Sequence, residues 1–197
     1  MTAEARRRIG AVGLALVADR VFGEPPDAAH PVARFGQAMT GLERRMWADD
    51  RGRGAAYTAA GVVAAATAGA LLARRNRLVA VFLLTEIAVA GRGLAEAAGR
   101  VHAALLRDDL VGARHALSAL VGRDTSRLDE EEIVRAVVES VAENTVDAVT
   151  APILWALLGG APAVAAYRAV NTLDAMVGHR SPRYERFGWA SARADDV

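Results

Sequence analysis

The chain has 197 residues, enough for one domain, and its 24 basic and 23 acidic residues leave a formal net charge of +1, so charge gives no case for nucleic-acid binding. It has no cysteine, which excludes disulfides, zinc-thiolate sites and a cysteine nucleophile, and no lysine, which excludes a P-loop and Schiff-base chemistry. Hydrophobic residues make up 53% and mean hydropathy is +0.17 although 24% of residues are charged, so charges are segregated from apolar blocks, a pattern that points to a membrane.

Arg6, Arg7 and Arg8 precede an apolar run over 9–22, which reads as a retained first helix because Asp19-Arg20 interrupts it and no cleavage pattern follows. The stretch Gly23-Glu24-Pro25-Pro26 to His30-Pro31-Val32 is a loop. Residues 35–47 are amphipathic, and Asp49 to Gly54 reads as a solvated turn. The uncharged run 55–73 is about 28 Å long as a helix, close to a bilayer core, and its Ala and Gly suit close helix packing. Arg74-Arg75-Asn76-Arg77 turns the chain into a returning run over 78–91, where Glu86 is a costly carboxylate at membrane depth.

Charged and apolar residues then interleave. Glu96 and Arg100 are spaced as an i,i+4 pair, and Asp108 to Val121 predicts an amphipathic helix closed by Gly122. His102 and His115 read as surface residues. Gly122-Arg123-Asp124-Thr125 is a loop, and Asp129 to Glu132 has the form of a capping box. The helix that follows carries Glu139, Glu143 and Asp147, one every fourth residue and so nearly above one another.

Asn144-Thr-Val-Asp147 is echoed by Asn171-Thr-Leu-Asp174, and between them lies an apolar run broken only by Gly159-Gly160-Ala161-Pro162. Gly-Gly ends a helix and Pro suits the first turn of the next. The run therefore predicts two short antiparallel helices, 148–158 and 162–170, that return the two motifs to one side. The alternative is a single membrane helix with polar ends. Glu139, Glu143, Asp147, Asn171 and Asp174 offer only oxygen ligands, which suits Mg²⁺, and Arg123, Arg135 and Arg168 are candidates to hold phosphate oxygens. The fold class expected is all-α: a polytopic helical membrane protein with short apolar hairpins (membrane-associated segments near 9–22, 55–73, 78–91 and 148–171) and an amphipathic helical insert over 92–147, all in one domain.

The strings Gly-Glu-Pro-Pro…His-Pro-Val, Gly-Arg-Asp-Thr, Glu-Ser-Val-Ala-Glu-Asn-Thr-Val-Asp, Tyr-Arg-Ala-Val-Asn-Thr-Leu-Asp-Ala-Met-Val-Gly and Phe-Gly-Trp-Ala-Ser-Ala-Arg-Ala-Asp-Asp-Val occur in order from residue 19 to the end. Jointly they resemble the CobD/CbiB family of cobalamin biosynthesis. The resemblance implies a multi-pass cell-membrane enzyme, adenosylcobinamide-phosphate synthase, with its site on the cytoplasmic side. Such an enzyme joins adenosylcobyric acid, a corrinoid, to aminopropanol or its O-phosphate by ATP- and Mg²⁺-dependent amide formation. It implies metal ligands among Glu139, Glu143, Asp147 and Asp174, and cofactor contacts at Asn144, Arg168 and Asn171. Catalytic groups are expected among His30, Arg123, Asp124, Arg135 and Glu143, with His30 and Glu143 the candidate bases. Membrane lipid and a homo-oligomer are the other partners expected, and nucleic acid is not.

Ala148 and Ala175 depart from the Gly and Ser the family pattern suggests. The family also continues beyond Val197 with further polar residues and another membrane segment, so this chain is expected to insert in a membrane with little synthase activity of its own. Two other readings fit the acidic motifs in part. A membrane prenyl- or alcohol-phosphotransferase leaves His-Pro-Val and Gly-Arg-Asp-Thr without a role, and a scaffold for late corrin assembly does not need clustered acids.

Overall fold

The computed structural model describes residues 2–23 and 30–196. Among them the secondary structure is helical throughout: α1 Ala3–Phe22, α2 Pro31–Met46, α3 Arg51–Arg75, α4 Arg77–Ala88, α5 Gly91–Leu105, α6 Leu110–Leu117, α7 Glu130–Thr145, α8 Ala151–Gly159, α9 Ala161–Leu173 and α10 Trp189–Asp195. Two π-helical turns, Val146–Thr150 and Asp174–Gly178, follow α7 and α9. The Gly-Glu-Pro-Pro motif lies outside the described residues apart from Gly23.

Caps explain most boundaries. Thr2, His30, Asp50, Asn76 and Asp109 each accept a backbone N–H in the first turn of the helix they open, and Asp129 and Glu132 complete the expected capping box on α7. The expected turn over 49–54 is a helix start instead: Asp50 caps α3, and Gly54 is buried against the backbone of Phe187. Helix α6 ends at Leu117, short of Gly122, in tight turns that bond Ala119 to Ala116 and Leu120 to Leu117. Glu96 pairs with Arg92 at 2.7 Å, one turn before it, and not with Arg100.

Three apolar cores hold the helices. One joins α1, α4, α8 and α9 through Val12, Val81, Ala156 and Val164. A second lies within α5, α6 and α7, around Val101, Leu117 and Ile133. A third packs Met39, Tyr57, Leu173, Val177 and Phe187 where α2, α3, α9 and the C-terminal segment meet.

Helix α3 and the stretch Arg77–Leu105 are long and apolar enough to cross a membrane. The second stretch is interrupted at Val89 and Ala90, where the Ala90 N–H leaves the helix to donate to the Ala148 carbonyl at 3.0 Å. Only 22% of the apolar window of α3 and 28% of the other is buried. A core helix of a water-soluble protein would be mostly covered, whereas here Val63, Leu71, Val79 and Leu83 face outward. The fold is that of an all-α membrane protein.

The hairpin forms as the Gly-Gly break predicts. Gly160 has φ of 69° and ψ of −157°, a conformation that side chains disfavour, and Pro162 sits in the first turn of α9. Tyr167 Oη on α9 donates to the Asp147 carbonyl at 2.9 Å, tying the open end of the hairpin.

Candidate functional site

The repeated Asn-Thr-x-Asp motif is repeated structure as well. Each copy ends a helix and carries its Asp into a π-helical turn. Such turns widen the helix and free backbone groups, and they concentrate at functional sites. The freed Asp147 carbonyl takes the Tyr167 hydroxyl, and the Ala148 carbonyl takes the Ala90 N–H.

The two asparagines have different tasks. Asn144 turns back on its own helix, donating to the Ser140 carbonyl at 2.8 Å and to Ser140 Oγ at 3.1 Å. Asn171 reaches across, donating from Nδ2 to Asp195 Oδ1 at 3.4 Å while its Oδ1 accepts from Arg168 Nη1 at 3.2 Å. Arg168, Asn171 and Asp195 thus form a relay from α9 to α10.

Asp147, Asp195 and Asp196 rim a cleft of about 940 Å³ between the hairpin, α3 and α10, with Leu154, Trp155, Leu158 and Val170 along its apolar walls. Burial, then the Glu143 carboxylate one turn away, raises the Asp147 pKa. Asp195 is raised by partial burial and by Asp147 and Asp196, against the opposing Asn171 hydrogen bond. Asp174 is raised by burial and by Asp195 and Asp196, with His179 opposing. These acids sit close enough to repel, and a cation among them would relieve the repulsion.

The other expected site residues lie apart. Arg123 pairs with Glu139 at 3.8 Å, both side chains about three-fifths exposed, and Arg135 pairs with Glu131 at 3.1 Å. At helical rise Glu139 is about 12 Å and Arg135 about 18 Å from Asp147 along the axis. Asp124 is exposed and accepts from the Ser126 N–H, which lowers its pKa. Among the described residues no three His, Asp or Glu side chains gather as a metal-binding group. The expected set of Glu139, Glu143, Asp147 and Asp174 is therefore not assembled: Glu139 turns to Arg123, and Asp174 lies beside Asp195, Asp196 and His179.

His30 is buried as the N-cap of α2, its Nδ1 accepting from the Val32 N–H at 3.2 Å. That bond assigns the proton of the neutral ring to Nε2, which is buried without a partner among the described residues.

Three anchors escaped the sequence reading. Glu43, 7% exposed, accepts from Arg183 Nη2 at 3.0 Å and Tyr184 Oη at 2.9 Å, fastening α2 to the loop before α10. The buried Asp19 accepts the Arg92 N–H at 3.1 Å and so caps α5 from α1. Asp195 completes the rim from the far end of the chain. Acid every fourth residue is a visible signal, but an acid that meets its partner across about 70 or 140 positions has none.

Fold and site together define an all-α membrane protein with a carboxylate-rimmed, largely apolar cleft. The chain belongs to the CobD/CbiB family: the model of the family described as "CobD/Cbib protein" matches residues 12–197. It is 46% identical over 182 residues to the cobalamin biosynthesis protein CobD of Mycobacterium tuberculosis, covering 90% of this chain and 58% of that protein. It is similarly 46% identical to CobD of Geobacter metallireducens (95% and 63% covered) and 42% identical to CobD of Rhizobium meliloti (93% and 61%). The chain thus spans about three-fifths of the length of these curated relatives. No solved structure matches.

Proposed function

We propose that this protein acts in cobalamin biosynthesis as a multi-pass membrane enzyme, its site on the cytoplasmic side. The reaction proposed joins the carboxylate of adenosylcobyric acid to the amine of aminopropanol or its O-phosphate, with ATP consumed and an amide formed. The relatives' name supports the pathway. The observation that carries the chemistry is that Asp147 and Asp195, brought from distant parts of the chain, share one cleft with raised pKa values.

Mg²⁺ fits this donor set in a particular way. It is commonly bound through one or two carboxylates with water and substrate phosphates, so a dedicated three-carboxylate cage is not required. Asp147 and Asp195 would hold it, and it would supply charge neutralisation for the phosphates of ATP. Asn171 fixes the Asp195 carboxylate, and Arg168 fixes Asn171. Glu143, exposed one turn from Asp147, would take the proton from the incoming amine. The apolar wall of Leu154, Trp155 and Val170 limits water near an activated carboxyl group.

The test is a Mg²⁺ titration of purified protein followed by thermal unfolding. Mg²⁺ should raise Tm in the wild type and not in Asp147→Asn. A protein whose Tm is indifferent to Mg²⁺ with ATP present would sink the reading. A prenyl- or alcohol-phosphotransferase would instead be protected by an isoprenyl diphosphate and not by a corrinoid.

A further inference from the structure

A second cleft, of about 790 Å³, lies between the start of α3, the turn at 178–182 and α10. Arg51, His179, Arg180 and Arg193 line it, with Trp189 on one wall. Two carboxylates, Glu185 and Asp196, line it as well. Arg193 and Asp196 approach to 3.7 Å, but both are more than two-thirds exposed, where such a pair contributes little. The Arg51 guanidinium lies over the Trp189 ring at 5.5 Å, which orients it without neutralising it. Arg180 makes no ion pair among the described residues. Arg51 also opens α3, whose first turn is capped by the Asp50 carboxylate.

We propose that this cleft binds the phosphoryl group of a small phosphorylated ligand, with Arg180 and Arg193 as its main contacts. Planar guanidinium groups suit the bidentate geometry of phosphate oxygens. Three arginines and a histidine line the cleft with two carboxylates, and Asp174 lies close to His179. A cleft of this volume matches a drug-sized molecule. The proposal concerns a cleft separate from the acidic one and does not need the amide-forming reaction; Asp196, which borders both, is their point of contact.

Equilibrium dialysis of the purified 197-residue protein against labelled inorganic pyrophosphate, with divalent cations chelated, tests the site without any turnover. Saturable binding is expected, weakened about tenfold or more in Arg180→Ala and in Arg193→Ala, since each removes a charge-assisted contact. Arg180→Lys should recover part of the loss because a point charge remains. Arg186→Ala is the control: Arg186 pairs with Asp49 and does not line the cleft. Repeating the titration in nanodiscs with and without phosphatidic acid separates sources. Competition by the lipid assigns the site to a headgroup, and no competition assigns it to a soluble phosphate. Wild-type protein that binds no pyrophosphate at millimolar concentration, or Arg180→Ala and Arg193→Ala variants that bind as wild type does, would overturn the proposal. Neither result bears on whether the protein forms an amide, which is read in a separate assay.

Discussion

Gly54, Gly61 and Gly69 lie along one face of α3 and set how closely the rest of the bundle approaches it. A Cβ at 69 would sit 2.8 Å from the Ala161 carbonyl oxygen and 3.0 Å from Pro162 Cα, and one at 61 would sit 2.9 Å from the end of Met39. At 54 a Cβ would run into the carbonyl of Phe187, so that backbone must retreat. Gly→Ala within a helix ordinarily gains about 1 kcal/mol, and overpacking a tight contact costs about 1–3 kcal/mol. For Gly69→Ala the balance is a loss of about 0–2 kcal/mol. For Gly54→Ala, where rigid backbone must move, the upper end applies and the net loss is about 2 kcal/mol. In Gly99→Ala, with nothing within 4 Å of the new methyl, only the gain remains. For a chain of this size 1 kcal/mol corresponds to about 2–4 °C in Tm. Thermal unfolding in detergent should therefore show Gly54→Ala lower by about 4–8 °C and Gly99→Ala higher by about 2–4 °C. Phe187 precedes the helix that carries Asp195, so Gly54→Ala should weaken Mg²⁺ binding too. Equal Tm for Gly54→Ala and wild type would mean that Phe187 does not lie on α3, and the site would lose its third wall.

The hydroxyl of Tyr167 closes the hairpin, so Tyr167→Phe should cost about 1 kcal/mol in chemical denaturation while leaving every carboxylate in place. Glu43→Ala removes two hydrogen bonds to a buried carboxylate and should cost about 1.5–3 kcal/mol, measured the same way; a neutral result would deny that it anchors the loop. The folded protein holds the protons of Asp147, Asp174 and Asp195 more tightly than the unfolded chain does. Their contribution to stability is therefore full below the ordinary carboxylate value of 3.8 and is lost as pH rises through their raised values. Asp195→Asn should thus raise Tm at pH 7 in the absence of metal, flatten the decline in Tm above pH 4, and reduce the gain on adding Mg²⁺. Arg123→Ala breaks only an exposed pair, and a stability change above about 1 kcal/mol would show that Arg123 does more than meet Glu139.

The hairpin was legible because Gly159-Gly160 and Pro162 are local signals, as was the capping box that opens α7. The spacing of Glu143 and Asp147 correctly placed one beside the other. The same spacing could not show that Glu139 turns to Arg123, because that contact depends on how the loop after α6 folds over α7. The π-helical turn at Val146–Thr150 was hidden as well: its Asp147 and Ala148 carbonyls meet the Tyr167 hydroxyl and the Ala90 amide, both supplied from elsewhere in the chain. Asp195 reads as part of a polar C-terminal stretch until α10 brings it to Asn171. Glu43 sits on the amphipathic helix as any surface acid might, and its burial by Arg183 and Tyr184 is a tertiary event.

The most direct measurement is product formation by membranes carrying this chain, alone and extended to the full length of its curated relatives, supplied with adenosylcobyric acid and aminopropanol or its O-phosphate. Chromatography with mass detection would follow the amide as ATP, Mg²⁺ and residue 147 are varied. Amide is expected only when ATP and Mg²⁺ are both present, with a fall of about a hundredfold or more in Asp147→Asn at equal membrane abundance. Amide formed equally well by Asp147→Asn, or no amide from either form of the wild-type chain, would contradict the proposed reaction.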